Sequence, residues 1–242
     1  MIDKASSLLL CRLIGIGYAP TFLGAPEPTA NAMLPTGFSL VGIIWGTDFK
    51  GLFGQERVPY GTLSQGPDGQ TYVALRGTDS VKEWISDGWA VPEPWPFSQD
   101  PAVHTHQGFT DIFQTLTLGE KPLLGALDGL KPLVTGHSLG GALAALLAPA
   151  LGNGASCGVT FEAPRVGNGE FAAWSDRRVL TYRYVIIGDV VPHAPPENLG
   201  YYHAGLELDL DPAGVIPLTL DPETYLLSHH QLAYVQELLE RA

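Results

Sequence analysis

Apolar and polar positions change their period several times along the chain, and each change predicts an element. SSLLLCRLIGIGYA, near the N-terminus, carries apolar residues at helical spacing and predicts an amphipathic first helix. FSLVGIIWG (38–46) predicts a strand, and VPYGTLSQGPDGQTYVALRG (58–77) a hairpin turning at Asp68-Gly69. A stretch rich in tryptophan and proline fills 81–97, and FTDIFQTLTLGEKPLLGAL (109–127) predicts a helix. Three more strands follow, at LVTG (133–136), GVTFEA (158–163) and VLTYRYVII (179–187), with a short helix near 169–175. The tail is YYHAGLELDL, a loop rich in proline and aspartate, and a last helix at HHQLAYVQELLER (229–241). Strands alternating with helices imply an α/β fold with a largely parallel sheet flanked by helices. The hairpin signals at its front end imply antiparallel strands added to that sheet. No repeat or linker divides residues 1–242, so a single domain is expected.

Composition narrows the partners. The chain has 242 residues, 45% hydrophobic and 16% charged, enough for one sizeable core. A formal net charge of -12 argues against nucleic acid and against attraction to anionic membranes, and says nothing of uncharged substrates. The two cysteines, Cys11 and Cys157, lie in apolar surroundings without metal-ligand spacing and read as buried thiols. The apolar N-terminal run resembles a signal-peptide core, but Arg12 interrupts it and no small-x-small cleavage site follows. No apolar run is long enough for a transmembrane segment. A soluble protein is expected, with export left open.

Chemistry enters at VTGHSLGGALAALL (134–147), where one serine sits among three glycines between a β-branched run and a helix pattern. Gly136-His137-Ser138-Leu139-Gly140 matches G-x-S-x-G, the nucleophile elbow, and Gly141 extends it. A strand that turns at once into a helix leaves its corner residue strained. The neighbours must then be small, because a side chain there would strike the adjacent strand or helix. The corner lifts the Ser138 hydroxyl beside a helix N-terminus, where developing negative charge is stabilised. An ordinary glycine-rich turn is the alternative.

A serine needs a base, and the base an orienting acid. On such a sheet the chain order is serine, acid, histidine. Asp189 follows the strand VLTYRYVII and fits the acid, whereas Asp176, Asp209, Asp211 and Asp221 read as surface charge. Of seven histidines, His137 lies within the elbow, His104 and His106 precede the serine, His193 is too close to Asp189, and His203 lies in an apparent strand. His229 and His230, leading into the last helix, remain. The residue after the nucleophile, Leu139, offers its backbone N–H to an oxyanion.

Several further segments resemble, in order, the motifs of the fungal-type (class 3) lipases, a branch of the α/β-hydrolase superfamily. Leu75-Arg76-Gly77-Thr78 resembles F-R-G-[ST], and Ser80-Val81-Lys82-Glu83-Trp84-Ile85 the short lid after it. His106-Gln107-Gly108-Phe109 resembles V-H-x-G-F, with Thr105 in place of the valine. Thr135 to Gly141 matches T-G-H-S-L-G-G. FEAPRVGN (161–168) resembles F-G-x-P-R-V-G-N, with Glu162 where glycine is usual. Asp189-Val190-Val191-Pro192-His193-Ala194-Pro195-Pro196 is similar to D-x-V-P-x-x-P-P, and Tyr201 to Glu207 to a Y-x-H-x-G-x-E strand.

The resemblance spans about 75 to 207 and implies Ser138 as nucleophile, Asp189 as acid and His203 outside the triad. It places the base a few residues before Tyr234, favouring His229 with His230 as the alternative. It makes Thr78 the second oxyanion donor, beside Leu139. It also implies a lid at about 80–97, whose Val81, Trp84, Ile85 and Trp89 would meet substrate, interrupted by charges; a packed loop is the bland alternative. The expected reaction is hydrolysis of fatty-acyl esters such as acylglycerols, at a transient lipid–water interface, with no metal or organic cofactor. A short-chain or feruloyl-type esterase is the alternative. A thioester or polyester hydrolase and a non-catalytic lipid-binding protein stand further off.

Overall fold

The computed structural model describes residues 2–49, 55–77, 91–212 and 231–241. Helix α1 (Lys4–Ile16) starts at Asp3, whose carboxylate accepts the Ser6 N–H at 2.7 Å, as an N-cap does. Helix α2 (Pro26–Met33) follows, with proline in its first turn. The hairpin forms as predicted: β1 (Ser39–Phe49), β2 (Gln55–Gln65) and β3 (Thr71–Leu75) are successive antiparallel neighbours. Gly69 has φ +83° in the turn, a backbone that glycine accepts without strain.

Short strands β4 (Pro92–Pro94) and β5 (His104–His106) make a separate two-stranded ribbon. The helix expected over 109–127 is not continuous. Helix α3 (Gln107–Gln114) ends where Thr115 Oγ1 turns back to the Ile112 carbonyl and also accepts the Thr47 N–H of β1. The chain then forms β6 (Thr117–Leu118), a turn at Gly119 (φ +61°) and β7 (Lys121–Pro122) before the short helix α4 (Leu123–Ala126). The open edge of β1 offers hydrogen-bond partners, and β-branched residues before a glycine take them in preference to a helix.

The second half alternates as expected: β8 (Leu133–His137), α5 (Leu139–Leu151), β9 (Cys157–Phe161), α6 (Gly169–Asp176), β10 (Thr181–Ile186), β11 (Leu206–Leu210) and, after the undescribed stretch, α7 (Leu232–Arg241). β11 begins three residues beyond His203, so that histidine lies in the loop before the strand. The nine-stranded sheet runs β11-β10-β9-β8-β3-β2-β1-β6-β7. Its half from β11 to β3 is parallel and its half from β3 to β7 antiparallel.

Alternation along the strands divides the core into two layers. Val73 and Leu75 face a cluster built on α5 (Leu143, Leu146, Leu147) and α3 (Phe109, Phe113). Tyr72 and Ala74 face the opposite cluster, where α1 (Leu10, Leu13, Ile14) meets α7 (Val235, Leu238, Leu239). This is the α/β-hydrolase arrangement that the motifs imply. Helix α5 is apolar all round and almost wholly buried, as a central helix must be. Among the described residues no helix is long and apolar enough to cross a membrane. Cys11 is a buried free thiol, pushed up to about 12 by burial.

Trp95 belongs to the first cluster, against Phe113 (ring centroids 5.4 Å) and edge-on to Phe171 (5.7 Å, 88°). At this position the packed-loop reading holds. Trp95→Ala should lower unfolding free energy by about 3–5 kcal/mol in denaturant titration, as large core truncations do. Truncating Val91, which is 42% exposed, should change it little.

Candidate active site

The elbow is formed by close backbone contacts at the end of β8. Ser138 has φ 58° and ψ -127°, a sparsely populated backbone for a residue with a Cβ. The small neighbours expected from the motif are required. A Cβ on Gly136 would stand 2.1 Å from the Gly140 carbonyl oxygen, and one on Gly140 2.4 Å from that of Leu75. One on Gly141 would meet the Ala163 side chain at 2.7 Å. The Ser138 N–H continues the ladder to the Phe161 carbonyl of β9 at 3.0 Å. Its Oγ is buried and has no hydrogen-bond partner among the described residues. Leu139 opens α5, so its N–H has no acceptor within the helix.

Asp189 stands three residues past the end of β10 and is fully buried. Its Oδ1 accepts the Val191 N–H at 2.9 Å, and its own N–H reaches back to the Ile186 carbonyl at 3.0 Å. Because β8, β9 and β10 are parallel neighbours, Ser138, Glu162 and Asp189 all emerge at the same carboxyl edge. Ligands gather at this edge in open α/β sheets.

Glu162 is also fully buried, with φ 50°. Its Oε1 accepts the Ile186 N–H at 2.6 Å. Burial first, then the neighbouring Asp189 carboxyl and its charge, hold the Glu162 carboxyl well above the ordinary carboxylate range. The departure from the glycine of the family motif is plain in the sequence, but its meaning is not. Only folding sets that side chain against Asp189.

Tyr18 has no signal in the motifs at all. Its hydroxyl accepts the Gly77 N–H at 2.7 Å and lies 2.7 Å from Nδ1 of His137, joining the segment before Thr78 to the elbow. A side chain on Gly77 would collide with that hydroxyl at 2.5 Å and with Ser138 Cβ at 2.9 Å. The buried Arg76 holds the same segment, donating to the carbonyls of Pro59 (2.9 Å) and Gly77 (2.8 Å).

His203 donates Nε2–H to the Pro192 carbonyl at 2.7 Å and is held neutral by burial and nearby Arg183, down to about 3. It supports the loop after Asp189. His106 stacks on Phe109 at 4.3 Å and is lowered by burial to about 4. Thr78, His229, His230 and the lid residues Val81, Trp84, Ile85 and Trp89 lie outside the described residues.

A serine at a strand-to-helix elbow over a parallel sheet, with a buried aspartate two strands away, is the arrangement of the α/β-hydrolase fold. More narrowly, the chain belongs to the class 3 lipase family, whose model matches residues 72–199, over half of its length. It is 35% identical over 170 residues to the lipase of Rhizomucor miehei, covering 63% of this chain and 46% of that protein. It is 33% identical over 146 residues to the secreted mono- and diacylglycerol lipase 1 of Fusarium solani, covering 57% of this chain and 43% of that one. The chain thus spans less than half the length of these two relatives. The solved Rhizomucor miehei triacylglyceride lipase superposes with a TM-score of 0.67 at 27% identity, over 87% of this chain and 81% of that one.

Two measurements test this geometry. Gly136→Ala and Gly140→Ala should each lose about 3 kcal/mol of stability or fail to fold, because the obstructing atoms are backbone. Gly125→Ala, with open space around its Cβ position in α4, should melt at or above the wild-type temperature. The buried neutral histidines set a pH slope. The unfolded chain takes up their protons near 6.5 and the folded chain resists until about 4 (His106) and about 3 (His203). Unfolding free energy should therefore fall as pH drops from neutrality through this window, and less steeply in His203→Gln.

Proposed function

We propose that the chain is a serine ester hydrolase of the lipase type, cleaving acylglycerols or similar fatty-acyl esters. Ser138 is its nucleophile, Asp189 its acid and His229 its base, with His230 the alternative. The observation that carries this reading is Ser138 itself: a strained corner residue at the N-terminus of a buried helix, whose buried hydroxyl has no partner among the described residues. Strain of about 1–3 kcal/mol persists where the surroundings impose it and function uses it. The names of the relatives, a lipase and a mono- and diacylglycerol lipase, support the substrate class.

In this reading the histidine takes the Ser138 proton as Oγ bonds to the ester carbonyl carbon, and Asp189 stabilises the imidazolium. The carbonyl oxygen becomes an oxyanion, received by the N–H groups of Leu139 and Thr78. The tetrahedral intermediate collapses, the C–O bond to the alcohol breaks, and the histidine returns its proton to the leaving alkoxide. Water, deprotonated by the same histidine, then releases the acid from Ser138. No metal or organic cofactor enters these steps.

The unit is one domain over 1–242, with a lid at about 80–97. Val81, Trp84, Ile85 and Trp89 supply its apolar face toward lipid. Trp95, near the end of that span, is packed in the core.

Hydrolysis of p-nitrophenyl esters from acetyl to palmitoyl tests the proposal. Rates should peak at long chains and rise when substrate is emulsified; a short-chain peak without that rise would mean a soluble carboxylesterase. Ser138→Ala should lose about 10⁴-fold or more in kcat and escape labelling by a serine-directed phosphonate. Comparable turnover in that variant would end the reading.

A further inference from the structure

Among the described residues two non-glycine positions have positive φ, and they are adjacent at the sheet edge: Ser138 and Glu162. The first is explained by the elbow. The second combines three unfavourable features at one position. Its backbone suits glycine, its carboxyl is withdrawn from water, and Oε2 has no hydrogen-bond partner among the described residues. Oε1 is satisfied by the Ile186 N–H. Ile186 also accepts the Asp189 N–H at 3.0 Å, so both acidic residues are fixed to the one residue that ends β10, and Asp189 is the charge that acts on the Glu162 carboxyl. Two ionised carboxylates in contact repel and can only accept hydrogen bonds. With one proton between them the same contact becomes a hydrogen bond.

We propose that Glu162 is held as a protonated acid that donates from Oε2 to the Asp189 carboxylate, and so acts as a positioning residue for the triad acid. The inference rests on the reading of Asp189 as that acid. The pair carries one negative charge and titrates as a unit. Asp189 keeps the charge, because it accepts the Val191 N–H and receives the Glu162 proton. This leaves the base facing a single fixed carboxylate. A second charge would bind the imidazolium proton more tightly, raising the pH at which the base becomes free. Three bonds link the consecutive strands at this edge: Ser138 N–H to Phe161, Glu162 N–H to Tyr184 at 2.9 Å, and Ile186 N–H to Oε1. Glu162 thus ties the position of the acid to the strand that carries the elbow's ladder bond.

The test combines infrared spectroscopy of ¹³C-glutamate-labelled protein with kinetics of Glu162→Gly, Glu162→Gln and Asp189→Asn. Wild type at neutral pH should show the C=O stretch of a buried protonated carboxyl, absent from Glu162→Gln. In Asp189→Asn that band should disappear at lower pH, because the repelling charge is gone. Glu162→Gly relieves the backbone but removes one donor to Asp189, leaving the Val191 N–H in place, and should lose about tenfold in kcat at unchanged KM. Glu162→Gln, whose amide can donate at every pH, should recover most of that loss. In wild type, kcat/KM should fall on the alkaline side where the band disappears; the glutamine variant should lack that limb. Stability follows the same proton. A raised native value means stability is full at low pH and declines as pH rises through it, so Glu162→Gln should gain in relative stability with rising pH.

Absence of the band at neutral pH, or a Glu162→Gly enzyme with wild-type kcat and pH profile, overturns the proposal. A normal band in an enzyme whose Asp189→Asn variant turns over normally removes Asp189 from the triad, and the positioning role of Glu162 with it. An absent band beside an inactive Asp189→Asn defeats the proposal for Glu162 alone.

Discussion

The close approach of helix α5 to the ends of β3 and β8 constrains the rest of the structure. Backbone packs on backbone there, with the Gly140 position against the Leu75 and Arg76 carbonyls and the Gly136 position against Gly140. That contact allows β8 to turn into α5 without an intervening loop, and it forces Ser138 into its positive φ. It also requires α5 to be buried on all sides, so the helix must be apolar throughout. The alanine-rich sequence LGGALAALLAPAL is the consequence: small side chains let a helix lie close to a sheet it cannot leave.

From that contact outward, the parallel half of the sheet brings the chemistry together. Strands β8, β9 and β10 end side by side, so three residues far apart in sequence emerge at one edge. The antiparallel half does something different: it extends the sheet and carries Arg76 and Gly77 toward the elbow, where Tyr18 bridges Gly77 to His137. The two halves meet at β3, which belongs to both.

Electrostatics at this edge follows from burial. With water excluded, a carboxylate needs donors, and Asp189 has the Val191 N–H. A second carboxyl in the same space cannot stay ionised beside it without severe cost, so Glu162 is pushed toward its neutral form. The neutral histidines obey the same rule with opposite sign, as His203 does beside Arg183.

The sequence by itself determined what local sterics and chain order dictate. The glycines around Ser138 announce a corner that no larger residue can form. The strand before Asp189 and its place after the serine make it the candidate acid, and alternation of apolar positions separates the strands from the helices. It misread 109–127 as one helix, because helical spacing there competes with a strand edge that exists only once β1 is in place. It showed Glu162 as a departure from a motif without showing what the side chain meets, and it showed nothing of Tyr18, which lies 119 residues from its partner His137. Those facts were decided by the tertiary structure. Which buried groups share a desolvated space depends on contacts between distant segments, and no short window of sequence contains both partners.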